Sequence, residues 1–280
     1  MSDRTRNAVS APQSEVAIQK WKENQLLKVT DCLAEEVPIA LVYNGVSHTV
    51  MLATPQDLED FALGFSLTEG ILQSKSELYD VEIETLENGI ELQLNIATER
   101  FEKLKERRRS MVGRTGCGLC GAENLAQVMR IPQLAANIIA APLQTIHWQS
   151  VQNAYANIQP LQTLQQATGA THACAWADAQ GNIALIREDV GRHNALDKLI
   201  GALAKKPPNS AGFVLTTSRA SYEMVQKVAS VGINMLAAIS APTGLAVRMA
   251  ETYGVTLLGF VRQNQHVIYA HAARIQYSLK

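Results

Sequence analysis

At 280 residues, with 47% hydrophobic and 18% charged side chains, the chain has the composition of a globular protein able to bury a sizeable core. A formal net charge of -1 gives no overall attraction for nucleic acid or an anionic membrane, so any affinity for anions has to be local. No apolar run approaches the roughly 18 residues of a membrane span, the first ten residues hold no signal-like apolar stretch, and four cysteines are too few for a disulfide scaffold. The expected compartment is the cytoplasm, with neither nucleic acid nor membrane as partner.

In chain order, residues 1–20 are polar and without periodicity and read as a disordered tail. Cys32, just before the first strand-like run, reads as a small buried hydrophobe. Val37–Tyr43 and Val46–Leu52 flank Asn44-Gly45, a hairpin signal because both turn residues need positive φ. Thr54-Pro55 then opens a helix, with Thr as cap and Leu58, Phe61, Ala62 and Phe65 at helical spacing. A second hairpin is expected across Asn88-Gly89, its second strand placing Ile90, Leu92, Leu94 and Ile96 on one face. Thr98–Met111 reads as a charged helix ending near Gly113. These elements make residues 21–145 a small α+β domain that ends in a cysteine loop, with Pro132 and Pro142 in the linker.

Residues 146–280 alternate strands and helices. A helical stretch around Val151–Thr168 precedes strands at Thr171–Asp178 and Asn182–Ile186 and a helix from Asn194 to about Leu203. Strand Phe213–Thr217, helix Tyr222–Ser230, strand Met235–Ile239, helix Leu245–Thr252 and strands Val255–Val261 and His266–Ala270 follow. This rhythm predicts an α/β domain with a partly parallel sheet.

Three strand-to-helix corners there carry unusual chemistry: Glu188-Asp-Val-Gly-Arg-His-Asn194, Thr216-Thr-Ser-Arg-Ala-Ser221 and Ser240-Ala-Pro-Thr-Gly244. Loops after the carboxyl ends of parallel strands share one sheet edge, and each opens a helix whose free N–H groups and dipole favour an anion. Arg192, His193 and Arg219 add donors, while Gly191 and Gly244 let a ligand approach the backbone. The set suits a phosphate-bearing ligand such as a nucleotide; the plainer account is that the hydroxyls are caps and the arginines surface ion-pair partners.

Gly113-Arg-Thr-Gly-Cys-Gly-Leu-Cys-Gly121 places Cys117 and Cys120 in a glycine-rich loop behind the basic run Lys103-Leu-Lys-Glu-Arg-Arg-Arg109. Neighbouring cations promote the thiolate needed for sulfur transfer, although the run also fits a solvated helix face. A single C-x-x-C stays open to other uses. Structural zinc is one, with His172 and Cys174 as further ligands. A redox pair normally follows a strand and opens a helix, which this motif does not. A zinc deaminase needs H-x-E before P-C-x-x-C, and here His172 follows the cysteines and lacks the glutamate.

Together with these loops, Glu35-Glu-Val-Pro-Ile-Ala-Leu-Val-Tyr-Asn-Gly45, Gly64-Phe-Ser-Leu-Thr-Glu-Gly70, Glu188-Asp-Val-Gly-Arg-His-Asn-Ala-Leu-Asp-Lys198 and Ser218-Arg-Ala-Ser-Tyr-Glu-Met-Val-Gln-Lys227 make the chain resemble the FdhD family of formate dehydrogenase accessory proteins, from about residue 30 onward. The resemblance implies a cytidine deaminase-like α/β domain preceded by a smaller α+β domain. It implies a sulfurtransferase that takes persulfide sulfur from a cysteine desulfurase and passes it to the molybdenum of bis-molybdopterin guanine dinucleotide, as formate dehydrogenase requires. Cys117 matches the persulfide cysteine and Cys120 its partner, GDP is a surrogate ligand, and a homodimer is expected. The cofactor-contact segment matches Phe260, Val261, Arg262, Gln263, Asn264 and Gln265, where Asn264-Gln265 replaces the family's frequent glycine and basic residue. Arg192, His193, Ser218 and Arg219 are then expected to hold guanosine phosphates. The alternative is a chaperone that binds the molybdenum cofactor and uses the cysteines structurally.

Overall fold

The computed structural model describes residues 11–112 and 145–277. Its first elements, β1 (Gln13–Lys22) and β2 (Gln25–Ala34), form a hairpin over Glu23 and Asn24, which take φ of 51° and 59°. The disordered tail expected through residue 20 is thus corrected from residue 13 onward: Val16, Ala17 and Ile18 run consecutively on a ribbon too exposed to show a strong apolar period. Cys32 lies within β2 and is only half-buried, not buried as expected, because this hairpin stands away from the core.

The expected hairpin at Asn44-Gly45 is present: β3 (Val37–Tyr43) and β4 (Val46–Ala53) meet there, with φ of 45° and 80° at the turn. Helix α1 (Leu58–Thr68) starts later than Thr54-Pro55 suggests. Thr54 is fully buried, and its backbone N–H is donated to Asp189 Oδ2 at 3.0 Å instead of serving a helix start. Strands β5 (Leu78–Leu86) and β6 (Gly89–Ile96) turn over Glu87-Asn88, one residue earlier than expected. Gly89 has φ of 147°, and a Cβ there would lie 2.4 Å from the Pro38 carbonyl oxygen, so this glycine allows a close strand approach. Ile90, Leu92, Leu94 and Ile96 are all buried, as their alternation predicts. The sheet order is β4-β3-β6-β5, and α2 (Thr98–Val112) follows it.

In the second half, β7 (Ile146–His147), α3 (Trp148–Ile158) and α4 (Thr163–Thr168) precede β8 (His172–Asp178) and β9 (Ile183–Asp189). Then come α5 (Arg192–Lys205), β10 (Gly212–Thr216), α6 (Tyr222–Ser230), β11 (Met235–Ala238), α7 (Gly244–Tyr253), β12 (Thr256–Arg262), β13 (Gln265–Ala270) and β14 (Ile275–Gln276). Six strands form one mixed sheet in the order β13-β12-β11-β10-β8-β9, with β10, β11 and β12 parallel. Because β8 runs antiparallel to both neighbours, β9 points the same way as β10. The fold is mixed α/β. Among the described residues no helix is long and apolar enough to cross a membrane.

One hydrophobic core runs from Ile39 of the first half to Ala270 of the second, and a smaller cluster beneath α3 covers the other face of the large sheet. The halves meet where α1 crosses α5 through Gly64 and Gly201. A Cβ on Gly64 would fall 1.7 Å from the Asp197 carbonyl oxygen, and one on Gly201 would fall 1.9 Å from that of Asp60. Backbone sits against backbone, so no flexible side chain can yield. Gly64→Ala and Gly201→Ala are each expected to cost roughly 1–3 kcal/mol or more, read as a lowered urea midpoint; a midpoint within error of wild type would disprove the close crossing.

Candidate functional site

The carboxyl ends of β9, β10, β11 and β12 and the start of β8 share one edge of the large sheet, and the described candidate residues gather there. Arg192 and His193 are the first two residues of α5, two residues earlier than the expected helix start, so both sit in its first turn. Ser218 and Arg219 lie between β10 and α6, and Phe260–Gln265 carry the chain from β12 into β13.

A chain of hydrogen bonds joins these segments. His193 Nε2 lies 3.4 Å from Ser221 Oγ, linking the first corner to the second. The second and third are stitched by Ala220 N–H to the Ala241 carbonyl (3.2 Å) and Thr243 N–H to the Ala220 carbonyl (3.0 Å). Phe260 N–H to the Ser240 carbonyl (3.2 Å) ties the third to the β12–β13 turn. On the far side of that turn, Asn264 N–H donates to Gln152 Oε1 at 2.7 Å, and Gln152 Nε2 donates to the Gln265 carbonyl at 3.4 Å. Asn264 takes φ of 58°, a conformation asparagine tolerates. Gln152, nearly buried on α3, gave no sequence signal, since a glutamine on an amphipathic helix looks like surface.

Much of the Glu188–Lys198 motif is structural. Glu188 accepts from the backbone N–H of Leu164 (2.9 Å) and Gln165 (2.8 Å) and from Thr171 Oγ1 (3.1 Å), serving the start of α4. Asp189 accepts from Thr54 N–H, from Gly191 N–H at 2.8 Å, from Asn194 Nδ2 at 3.1 Å and from Lys198 Nζ at 2.6 Å. Asn194 also donates to the Leu52 carbonyl at 2.8 Å, and Lys198 to that of Thr54 at 2.9 Å. Burial outweighs the adjacent carboxylate and pulls Lys198 below its usual range. Arg192 and His193 are the members of the motif turned to the edge.

Three of the other candidates face inward or are already engaged. Ser218 is buried, and its hydroxyl sits 3.0 Å from Thr216 Oγ1 and donates to the Arg219 carbonyl at 3.0 Å, shaping the corner. Val261 belongs to the core, and the Arg262 guanidinium donates to the Ile239 and Val261 carbonyls. Phe260, at φ of 50°, is exposed, as are Gln263, Asn264 and Gln265. Cys117 and Cys120 lie outside the described residues.

What remains at the edge is suited to an anion. Arg192 Nε is buried with no hydrogen-bond partner among the described residues, a state that calls for a ligand or water. The N-caps of α5 and α6, Gly191 and Ser221, make no side-chain cap bond, whereas Thr243 caps α7 by accepting from Ala246 N–H at 3.2 Å. Arg219 is exposed. His172, at the start of β8, is held below the usual histidine range by burial, then by the charges of Arg192 and Arg219, which brings a neutral imidazole to the same edge. Sequence reasoning treated His172 only as a metal ligand; its place at a strand start beside the corners was the missed signal. Cys174 on the same strand is a fully buried thiol 3.4 Å from Thr216 Oγ1. Burial pushes its pKa up to about 12, a poor state for binding zinc. Among the described residues no group of three or more His, Cys, Asp or Glu could hold a metal.

Such an edge defines an α/β protein with unpartnered cationic and backbone donors at the carboxyl ends of its strands. The FdhD/NarQ family model matches residues 34–276, and the chain belongs to that family. Sulfur carrier protein FdhD of Cupriavidus necator is 58% identical over 268 residues, covering 94% of this chain and 90% of that protein. The protein of the same name from Xanthomonas euvesicatoria pv. vesicatoria is 49% identical over 259 residues, covering 92% and 90%. The crystal structure of a candidate formate dehydrogenase accessory protein from Desulfotalea psychrophila matches with a TM-score of 0.71, covering 94% of this chain and 99% of that one. At 20% identity this match supports the fold alone.

The division within the motif is testable. Asp189→Ala strands the Lys198 charge in a dry site and is expected to cost about 3–5 kcal/mol of stability. Arg192→Ala should change the urea midpoint little, because its Nε has no partner to lose. Equal destabilisation by the two would contradict the assignment.

Proposed function

We propose that the chain is a sulfurtransferase of the cytoplasm that carries sulfur as a persulfide on Cys117, taken from a cysteine desulfurase and delivered to the molybdenum of bis-molybdopterin guanine dinucleotide for formate dehydrogenase. The observation that carries the nucleotide half is the partnerless, buried Arg192 Nε beside two helix N-termini without side-chain caps. These groups fit the guanosine diphosphate end of the cofactor, which is the substrate here. Two guanidinium groups and free backbone N–H donors meet phosphate oxygens with charge-assisted bonds. The exposed Phe260 ring and the Gln263–Gln265 turn offer a surface for the rest of the nucleotide.

The sulfur half follows from cysteine chemistry. The Cys117 thiolate attacks the outer sulfur of the donor's persulfide; the donor's S–S bond breaks and its cysteine leaves as a thiolate. Cys120 then attacks Cys117 Sγ, forming a Cys117–Cys120 disulfide and releasing sulfide to the metal, so the two cysteines supply both electrons. External thiol restores the dithiol. Support for this half comes from the glycine-rich Cys117-Gly-Leu-Cys120 loop and from relatives named sulfur carrier proteins.

Incubation with a cysteine desulfurase and cysteine is expected to add about 32 Da to Cys117, the mass of one sulfur, and Cys117→Ser should abolish the adduct in the mass spectrum. Absence of any adduct without added reductant would favour a cofactor-binding chaperone with structural cysteines. Arg192→Ala and Arg219→Ala are each expected to weaken GDP binding about tenfold or more, the usual scale for a lost charge-assisted hydrogen bond, by calorimetry. Unchanged affinity in both would remove the nucleotide from this edge.

A further inference from the structure

Glu223 stands in the first turn of α6, a position the helix dipole favours for a carboxylate but one where its charge would oppose a phosphate bound at the same edge. Its Oε2 lies 2.7 Å from His193 Nε2, and the same nitrogen is 3.4 Å from Ser221 Oγ. The hydrogen bond from His193 comes first among the influences that hold the Glu223 carboxyl below its usual range, aided by the charges of Lys227 and Arg192 against partial burial. The carboxylate is therefore ionised and committed to the imidazole. An Nε2–H directed at Glu223 leaves Nδ1 on the opposite side of the ring, and no hydrogen bond engages Nδ1 among the described residues. The backbone of His193 is fixed independently, because Asp189, Asn194 and Lys198 anchor the same turn of α5 to Thr54 and Leu52.

We propose that Glu223 is a positioning residue of the nucleotide site: its carboxylate fixes the His193 ring through Nε2–H, turning the Nδ1 lone pair to accept from a ribose hydroxyl of the guanine nucleotide. This rests on the nucleotide reading proposed above and adds the group that orients one of its contacts. The prediction runs against simple electrostatics. A carboxylate beside a bound phosphate repels it, so if Glu223 had no role through His193, removing it would tighten nucleotide binding. Orientation predicts the opposite sign.

The test uses the full-length protein and GDP as probe. Side-chain exposures of 26% for His193 and 43% for Glu223 leave the fold little dependent on either, so stability should stay close to wild type. Glu223→Ala is expected to weaken GDP binding about fivefold to tenfold, and Glu223→Gln, which still accepts from Nε2–H, should stay within about threefold of wild type. In a His193→Ala background, Glu223→Ala should cause no further weakening, since the carboxylate acts through the ring. Nitrogen-15 NMR of the imidazole should report one Nε2–H tautomer in wild type and a mixture in Glu223→Ala. Equal or tighter GDP binding by Glu223→Ala overturns the proposal, as does a loss of the same size in the His193→Ala background or a tautomer indifferent to Glu223. If wild type itself binds no GDP, the nucleotide reading and this inference fall together; if it binds and only the Glu223 variants behave as wild type, the inference alone is lost.

Discussion

Asp189 is the constraint on which the rest of the structure depends. Its carboxylate is fully buried, and a carboxylate withdrawn from water is tolerable only when donors surround it. Thr54 N–H, Gly191 N–H, Asn194 and Lys198 fill that shell, and they come from both halves of the chain. Satisfying one side chain therefore fixes three things together: the end of β9, the first turn of α5, and the segment that leads from β4 into α1. Arg192 and His193 lie inside this fixed stretch. Their direction toward the sheet edge is a consequence of the way Asp189 is satisfied.

The opposite side of α5 carries a second buried network. Asp197 meets Lys227 of α6 at 3.0 Å and Thr68 of α1 at 2.7 Å, and Lys227 also reaches Glu69 at 3.1 Å. Burial works against the Lys227 ammonium, but the Asp197 and Glu69 carboxylates outweigh it and raise its pKa, so the ammonium stays charged. Consecutive residues of α5, Asp197 and Lys198, thus point into different networks, one binding α6 and the other the Thr54 segment. The Gly64–Gly201 crossing brings α1 close enough for both. Apolar burial alone sets no register between helices, whereas directional partners on two sides permit few arrangements.

The regular elements were legible because their signals are local. The Asn44-Gly45 turn, the alternation from Ile90 to Ile96 and the strand–helix rhythm of the second half follow from backbone conformation and side-chain period. The errors share a tertiary cause. Thr54 looks like a helix cap until Asp189, 135 positions away, takes its amide. The hairpin from Gln13 has too little burial to impose a readable apolar stripe. Within the site, the cations were visible as a cluster of unusual corners, but their division was not. Ser218 and Arg219 are adjacent in sequence, yet one is buried against Thr216 and the other exposed. Gln152 and His172 were missed because their importance comes from what the fold sets beside them, the Asn264 turn for one and Arg192 with Arg219 for the other.

A chain of net charge -1 can still concentrate unpaired positive charge at one edge, and the pairing pattern explains how. Lys198 and Lys227 are fully engaged by buried carboxylates, and Arg187 is bound to Asp60 at 2.7 Å. Those cations support the scaffold and project little field outward. Arg192 and Arg219 form no such pair among the described residues, and Glu223, whose carboxylate feels the Arg192 charge, is engaged by His193.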